Sequence, residues 1–310
     1  MTKVLVTGGA GFIGSNLVKK YLEEGFEVVI VDNLSTGKET NIPNGIRFYK
    51  TDICSSDFLE IVKKEQPDII NHHAAQIDIQ KSIKDPVFDA KVNILGTVNV
   101  LEACKDLGDK VTLVYASSAA VYGDPSYLGV DEKHIVNPLS YYGISKHTPE
   151  HYIKTYHELY GINFSILRYA NVYGIGQDPK GEGGVISILV EKGLKNTQFT
   201  VFGDGEQTRD YIFVEDIVSA NLLASKKAIN TIVNIGTGKA TTLNELIDVF
   251  QEVIGGSMDV HYTEPRKGDI LHSYFNITEA ERLLGWTPKN TLKEGIGKTF
   301  TYYKNVNNGH

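Results

Sequence analysis

The residues best suited to chemistry in this 310-residue chain are a tyrosine and a lysine four apart, Tyr142 and Lys146, in YYGISK. On a helix that spacing presents both side chains on one face. With 17 Tyr and 26 Lys in the chain, about 1.4 such pairs arise by chance, so the spacing alone means little. Only this pair occurs, and it follows VYASSAAVYG, a buried-strand pattern that ends in Ser117 and Ser118. Ser118, Tyr142 and Lys146 can then converge on one spot. A phenol with its ordinary pKa near 10 is a poor base at neutral pH; bringing it to about 7 takes roughly 4 kcal/mol of differential stabilisation. A neighbouring ammonium contributes to that.

A second motif with a mechanism opens the chain. VLVTGGAGFIG reads as a strand, a tight turn and a helix start, with Gly8, Gly11 and Gly14 in G-x-x-G-x-x-G spacing. Without side chains, such a turn brings its backbone close to a pyrophosphate, whose charge rests on the N–H groups of the helix N-terminus. A glycine triplet alone can also be a mere tight turn. Here the next strand, EVVIVD, ends at Asp32, 18 residues past Gly14, near the position of the carboxylate that holds the adenosine ribose hydroxyls. A 2'-phosphate would meet a like charge there, and Asn33 rather than Arg follows, so the sequence predicts NAD; Lys38 is the cation that speaks against it. Further contacts fall at successive strand ends. Asp52 in YKTDI suits the adenine amino group, HHAAQ (72–76) puts small residues where the cofactor backbone passes, and Asn93, on a helix, organises the site. The positive nicotinamide ring then adds to the effect of Lys146 on Tyr142, and Lys146 also holds ribose.

These motifs need a frame, and the first 170 residues supply its pattern. Strand-like runs alternate with helical ones: KVLVT, FIGSNLVKKYLEEG, EVVIVD, IRFYKTD, DFLEIVKKEQ, DIINHHA, VFDAKVNILGTVNVLEACKDLG, VTLVYASS, SYYGISKHTPEHYIKTYHELYG and NFSILRYANVYG. The alternation predicts an α/β fold, a Rossmann-type doubly wound parallel sheet whose apolar strands are covered on both faces. After Gly174 come Gly- and charge-rich loops, QDPKGEGG, GDGEQTRD and EPRKGD, which mark a smaller, interleaved C-terminal substrate domain. The expected division is a cofactor domain over 1–170, with a returning segment near 211–240 that includes TIVNIGTG, and a substrate domain over 171–210 and 241–310.

Composition narrows the class. A chain 41% hydrophobic and 22% charged is an ordinary globular protein, and a net charge of -7 argues against nucleic-acid binding. The five arginines, Arg47, Arg168, Arg209, Arg266 and Arg282, are scarce enough that each placement carries information. Cys54 and Cys104 are too few for a disulfide framework, and the apolar run near Met1 is too short for a signal or a membrane span, so a cytoplasmic protein with reduced thiols and no membrane partner is expected. No metal site is expected: His72 and His73 are adjacent on a strand and point to opposite faces, with no third ligand near.

The ordered set TGGAGFIG, VDN, TDI, SSAAVYG, YYGISK, RYANVYG, GDGEQTRDYIFVEDI and PRKGD resembles the extended short-chain dehydrogenase/reductases across nearly the whole chain, and among them most the UDP-glucose 4-epimerases. The resemblance implies Tyr142 as base, Lys146 to tune it and Ser118 to bond the O4 hydroxyl of the sugar, with Ser117 the neighbour most easily confused with it. The implied cofactor set is Gly8, Gly11, Phe12, Ile13, Gly14, Asp32, Asn33, Ser35, Thr36, Gly37, Asp52, Ile53, Ala74, Ala75, Gln76, Asn93, Ser117, Tyr142, Lys146 and Tyr169. For a UDP-sugar substrate it implies Asn171 at the phosphates or sugar, Val185 and Thr200 to Phe202 around the uracil, Arg209 and Arg266 on the diphosphate, and Asp269 and Ser273 in the same site. Two arginines in glycine-rich loops suit bidentate phosphate contacts.

The reaction so implied is inversion at C4 through a transient 4-keto sugar that turns about its diphosphate link. Related 4,6-dehydratases place Asp-Glu after the Ser118 equivalent; Ala119 and Ala120 stand here, and the Glu of the related decarboxylases is missing too. Ser273 occupies a position where a large residue excludes an N-acetyl group, so UDP-GlcNAc and UDP-GalNAc are expected beside UDP-glucose and UDP-galactose. A homodimer through the apolar faces of 86–107 and 141–160 also follows from the resemblance. The competing readings are another nucleotide-sugar enzyme of the same family, such as a UDP-glucuronate 4-epimerase, and a silent dinucleotide-binding sensor on the same fold, which usually lacks the Ser/Tyr/Lys set.

Overall fold

The computed structural model describes residues 1–179, 184–266 and 269–307; positions 180–183 and 267–268, within two of the glycine-rich loops, lie outside them. The first part of the chain runs β1 (Lys3–Thr7), α1 (Phe12–Glu23), β2 (Glu27–Asp32), β3 (Arg47–Lys50), α2 (Ser56–Glu65), β4 (Ile69–His72), α3 (Ile79–Lys84), α4 (Pro86–Ala90), α5 (Gly96–Lys105), β5 (Thr112–Ser118), α6 (Tyr141–Tyr160) and β6 (Asn163–Tyr169). There follow β7 (Asn171–Tyr173), α7 (Val185–Lys195), β8 (Phe199–Phe202), β9 (Thr208–Arg209), β10 (Tyr211–Phe213), α8 (Val214–Lys227), β11 (Ile232–Ile235), β12 (Thr241–Thr242), α9 (Leu243–Ile254), β13 (Val260–Thr263), α10 (Thr278–Leu284) and α11 (Leu292–Asn307).

Seven strands pair in parallel in the order β11-β6-β5-β4-β1-β2-β3. The chain enters at β1, winds out to β3, then returns to β4 and winds the other way. The switch between β1 and β4 opens a crevice beyond the strands' C-terminal ends, where doubly wound sheets take ligands. Alternation along β1 shows why its residues are apolar throughout. Val4 and Val6 pack with Leu17, Val18 and Tyr21 of α1 and with Val214 and Val218 of α8. Leu5 packs with Phe58, Ile61 and Val62 of α2 and with Val100 and Leu101 of α5 on the opposite face.

Residues 171–231 leave the sheet and come back. The return seats Ile232 to Ile235 beside Ile166 to Tyr169 of β6. The part of the excursion before α8 and the C-terminal third build a second lobe in which α7, α9 and α11 enclose Leu189, Val190, Leu246, Phe250 and Ile296, beside the parallel pair β8 and β13. Trp286 ties this lobe to α8 by donating to the Asp216 carbonyl (3.2 Å) and the Ser219 hydroxyl (2.8 Å).

Two helices differ from the regular patterns read in the sequence. The run after Pro86 is divided by a π-helical turn, Lys91–Leu95, between α4 and α5. Such turns recur at functional sites. Helix α6 continues through Pro149, whose buried ring replaces one backbone N–H inside the helix.

Candidate active site

The crevice holds two adjoining cavities of about 270 and 330 Å³, both lined by Gly11, Phe12, Asn33, Asp52 and Ala75. Gly8, the residue that opens the turn after β1, has φ +70°, and a side chain there would come within 2.7 Å of the Ala74 nitrogen. Helix α1 begins at Phe12 with no side-chain cap and no acid in its first turn. Its N–H groups therefore face the cavity ready for an anion. Asp32 ends β2 buried, accepting from the backbone N–H groups of Ala10 (3.0 Å) and Leu34 (2.8 Å). Asn33 donates to Asp52 (2.8 Å), whose other oxygen accepts from the Cys54 N–H. An uncapped helix end for a pyrophosphate and a fixed carboxylate for ribose hydroxyls fit NAD.

All the residues read from the sequence as cofactor ligands line one cavity or the other, except Gly37 and Asn93. Gly37 packs against the Asp32 carboxylate, with both oxygens 3.0 Å from where a side chain would start. Asn93 stands one layer behind, in the π turn. Its amide accepts from the Gln76 N–H and donates to the Gln76 carbonyl, 2.8 Å each, and donates to Ser145 of α6 (2.9 Å). Gln76 turns its own side chain to Asp89 (2.8 Å) and the Asp78 carbonyl (2.9 Å).

Ser118, Tyr142 and Lys146 line the first cavity together. β5 carries Ser118 to its end, where the hydroxyl oxygen accepts from the Ala120 N–H (3.2 Å), leaving its proton to donate elsewhere. The Ser140 hydroxyl caps α6 by accepting from the Gly143 N–H (3.0 Å), so the helix starts just ahead of Tyr142. Lys146 is only 5% exposed, its ammonium 4.9 Å over the Tyr115 ring. Burial pulls its pKa down to about 8, against the opposing pull of the Glu150 and Asp89 carboxylates.

Behind the lysine is a group that sequence reasoning missed. Arg168 of β6 donates to both Glu150 oxygens (2.9 and 2.5 Å), Ser117 donates to one of them (2.6 Å), and His147 contacts the other (3.2 Å). Burial pulls the Glu150 carboxyl up, yet Arg168 and its other partners hold it down at about 2. The Ser117 hydroxyl is thus committed to Glu150, whereas Ser118 is the serine with a proton to offer. His73 also lines the cavity, with its Nε2 3.0 Å from the Tyr169 hydroxyl. Burial, then the nearby Lys146, lowers its pKa to about 3, so it is neutral. Scarcity of arginine is the one sequence signal that points at Arg168; Glu150 and His73 carry none. Among the described residues no group of three or more His, Cys, Asp and Glu could hold a metal. His72 instead bridges the hydroxyls of Thr7 (2.7 Å) and Thr97 (3.0 Å).

Of the residues read as substrate ligands, Ser118 and Tyr142 line the first cavity, and the others, mostly on the second lobe, line neither cavity. The Arg266 guanidinium stacks 3.8 Å over the Phe202 ring, and the Asp269 N–H donates to the Arg266 carbonyl (3.4 Å). Arg209 donates to the carbonyls of Thr208 (2.8 Å) and Leu271 (3.3 Å); the Ser273 N–H donates to the same Thr208 carbonyl (3.2 Å). Thr200 lies exposed on β8, in the strand that carries Phe202. Asn171 and Val185 stand outside this group, Asn171 exposed at the start of β7 and Val185 opening α7.

Fold and site together define a dinucleotide-binding α/β protein with a Ser, Tyr and Lys set in its cavity. The sequence profile of the NAD dependent epimerase/dehydratase family matches residues 4–236, and the chain belongs to that family. It is similar, at 49% identity over 98% of this chain and 99% of the relative, to a Methanocaldococcus jannaschii protein that carries the name UDP-glucose 4-epimerase provisionally. Among solved structures it is similar to the UDP-glucose 4-epimerase of Thermotoga maritima with UDP-glucose, with a TM-score of 0.95, 41% identity, and coverage of 98% of this chain and 99% of that one. The Thermus thermophilus UDP-glucose 4-epimerase complex with NAD gives 0.90 and 38% over the same shares.

Proposed function

We propose that this chain is an NAD-dependent UDP-glucose 4-epimerase that interconverts UDP-glucose and UDP-galactose. The observation that carries the reading is the meeting of Ser118, Tyr142 and Lys146 on the cavity that also holds the glycine turn and Asp32. The glycine turn, Asp32, Asn33 and Asp52 would hold the dinucleotide. When bound, NAD supplies oxidising power at C4 of the sugar and, once the cycle ends, is unchanged, so no second substrate is needed.

Tyr142 takes the O4 proton while the Ser118 O–H steadies the same oxygen. Lys146, kept cationic by Glu150 and Asp89, stabilises the tyrosinate. Arg209 and Arg266 grip the diphosphate, which lets the 4-keto sugar turn without leaving. Tyr142 then returns its proton to O4 as C4 is reduced again on the opposite face that the turned sugar presents. Ala119 and Ala120, after Ser118, offer neither the acid nor the base that elimination of water requires. The small side chain of Ser273 leaves room for an N-acetyl group, extending the substrate class to UDP-GlcNAc and UDP-GalNAc.

The reading includes a cytoplasmic homodimer. Among the described residues no helix is long and apolar enough to cross a membrane, and both cysteines are unpaired. Ile144, Tyr152 and Leu159 stand exposed along α6, with Val87 of α4 and Leu95 of the π turn exposed on elements that pack against it, an apolar surface suited to a second copy. The test is product analysis after incubation with each UDP-hexose, N-acetyl forms included. Glucose and galactose forms are expected to interconvert without net NAD consumption, and Tyr142→Phe to lower kcat by roughly 10²- to 10⁴-fold. Undiminished turnover in that variant would remove the mechanism.

A further inference from the structure

Segment 174–178 crosses from β7 toward the cofactor crevice and is held from three sides. The Asn16 amide, in the second turn of α1, donates to the Ile175 carbonyl (2.9 Å). The Tyr303 hydroxyl of α11 donates to the Gln177 carbonyl (2.5 Å). Lys38, in the loop after β2, pairs with Asp178 at 2.9 Å. At Gly176 a side chain would start 3.8 Å from both Phe12 and Asn16, so the segment lies against the first turns of α1, the end that faces the cavity. Gln177 lines the first cavity; Gly176, Asp178 and Lys38 line the second.

Gln177 adds an observation that points to a ligand. It is only 7% exposed, and its Nε2 is committed to the Val172 carbonyl (3.2 Å), which fixes the amide's orientation. Its Oε1 is buried with no hydrogen-bond partner among the described residues. A buried acceptor left unpaired is costly, and such groups are usually completed by something else.

We propose that 174–178 is a strap that retains the dinucleotide, with Gln177 accepting a hydrogen bond from a ligand hydroxyl or amide and the Lys38–Asp178 pair latching the strap to the cofactor lobe. This rests on the reading above, and its logic follows from it. A redox-neutral cycle gives the cofactor back unchanged, so turnover never requires release, and a strap across the crevice carries no kinetic penalty. An enzyme that exchanges its dinucleotide each cycle would be throttled by the same device.

The experiment measures NAD release from the loaded protein, by chase with isotopically labelled NAD and rapid filtration, with the thermal midpoint of the NAD-free protein as a second readout. Lys38→Met and Asp178→Asn are each expected to speed release about threefold. The double variant should be no faster than either single one, and the effect should fade at 1 M salt. Gln177→Met is expected to speed release about tenfold. A purely structural role would lower the thermal midpoint and leave the release rate alone. If the wild type holds NAD and every variant releases it at the wild-type rate, the strap is refuted while the enzyme reading stands. If the wild type releases NAD on filtration yet interconverts the UDP-hexoses with NAD added, the strap is refuted and the enzyme reading stands; if it neither binds NAD nor turns over, the enzyme reading falls and the strap with it.

Discussion

Lys146 is a cation kept where water is scarce, and its proton is therefore lost more easily than an ordinary lysine's. With its pKa near 8, kcat/KM is expected to fall as pH rises through about 8, and Lys146→Met to lower activity and abolish that limb. The stability consequence has the opposite sign. Between about 8 and the ordinary 10.5 the unfolded chain binds a proton that the folded chain has released, so unfolding free energy should gain from rising pH across that window as activity falls. Kinetic pH profiles set beside denaturation at matched pH check both. Tyr142, Lys146, the glycine turn and Asp32 are legible in the sequence because their chemistry depends on short, fixed spacings. Glu150, His73 and Gln177 are not. Glu150 and His73 meet partners elsewhere in the chain, Arg168 and Tyr169, and the Gln177 side chain is oriented by a backbone carbonyl, so spacing holds no trace of any of them.

Helix α6 is fixed on the sheet by an ion pair as well as by packing. Arg168 lies opposite Ser117 in the β5–β6 register, and its guanidinium reaches Glu150 with both side chains almost wholly buried. Removing one partner leaves a charge in low dielectric, so Arg168→Met should cost about 3–5 kcal/mol in denaturant unfolding. Pairing it with Glu150→Gln should recover part of that loss; simple addition of the two effects would rule out the coupling. At this scale the strands are legible from their unbroken apolar runs, since both sheet faces are covered. The π turn is not, because one extra residue barely disturbs an apolar helical pattern. Its effect becomes visible only through the bonds it gives Asn93 to Gln76 and Ser145.

For the whole molecule, the apolar stripe on α6 yields the simplest test. Leu159 is 66% exposed. Leu159→Glu is expected to turn a dimer into a monomer in light scattering after size exclusion, and a wild-type monomer would show that the stripe serves another purpose. The second lobe is only partly legible. Glycine-rich loops betray its place, but strands of two residues, such as β9 and β12, are too short to leave a pattern, and they form only because Thr241 and Thr242 meet Arg209 and Thr208.

The late return of β11 has a consequence for how the protein is made. β6 is complete once residue 169 leaves the ribosome, yet the strand that covers its outer edge spans Ile232–Ile235. At ordinary translation speeds of about 5–20 residues per second, that edge, with Phe164, Ile166 and Leu167 behind it, stays open for several seconds. A nascent chain in that interval is open to strand pairing with its neighbours, so slowing initiation or lowering temperature during expression protects this fold at the step where its topology leaves it bare.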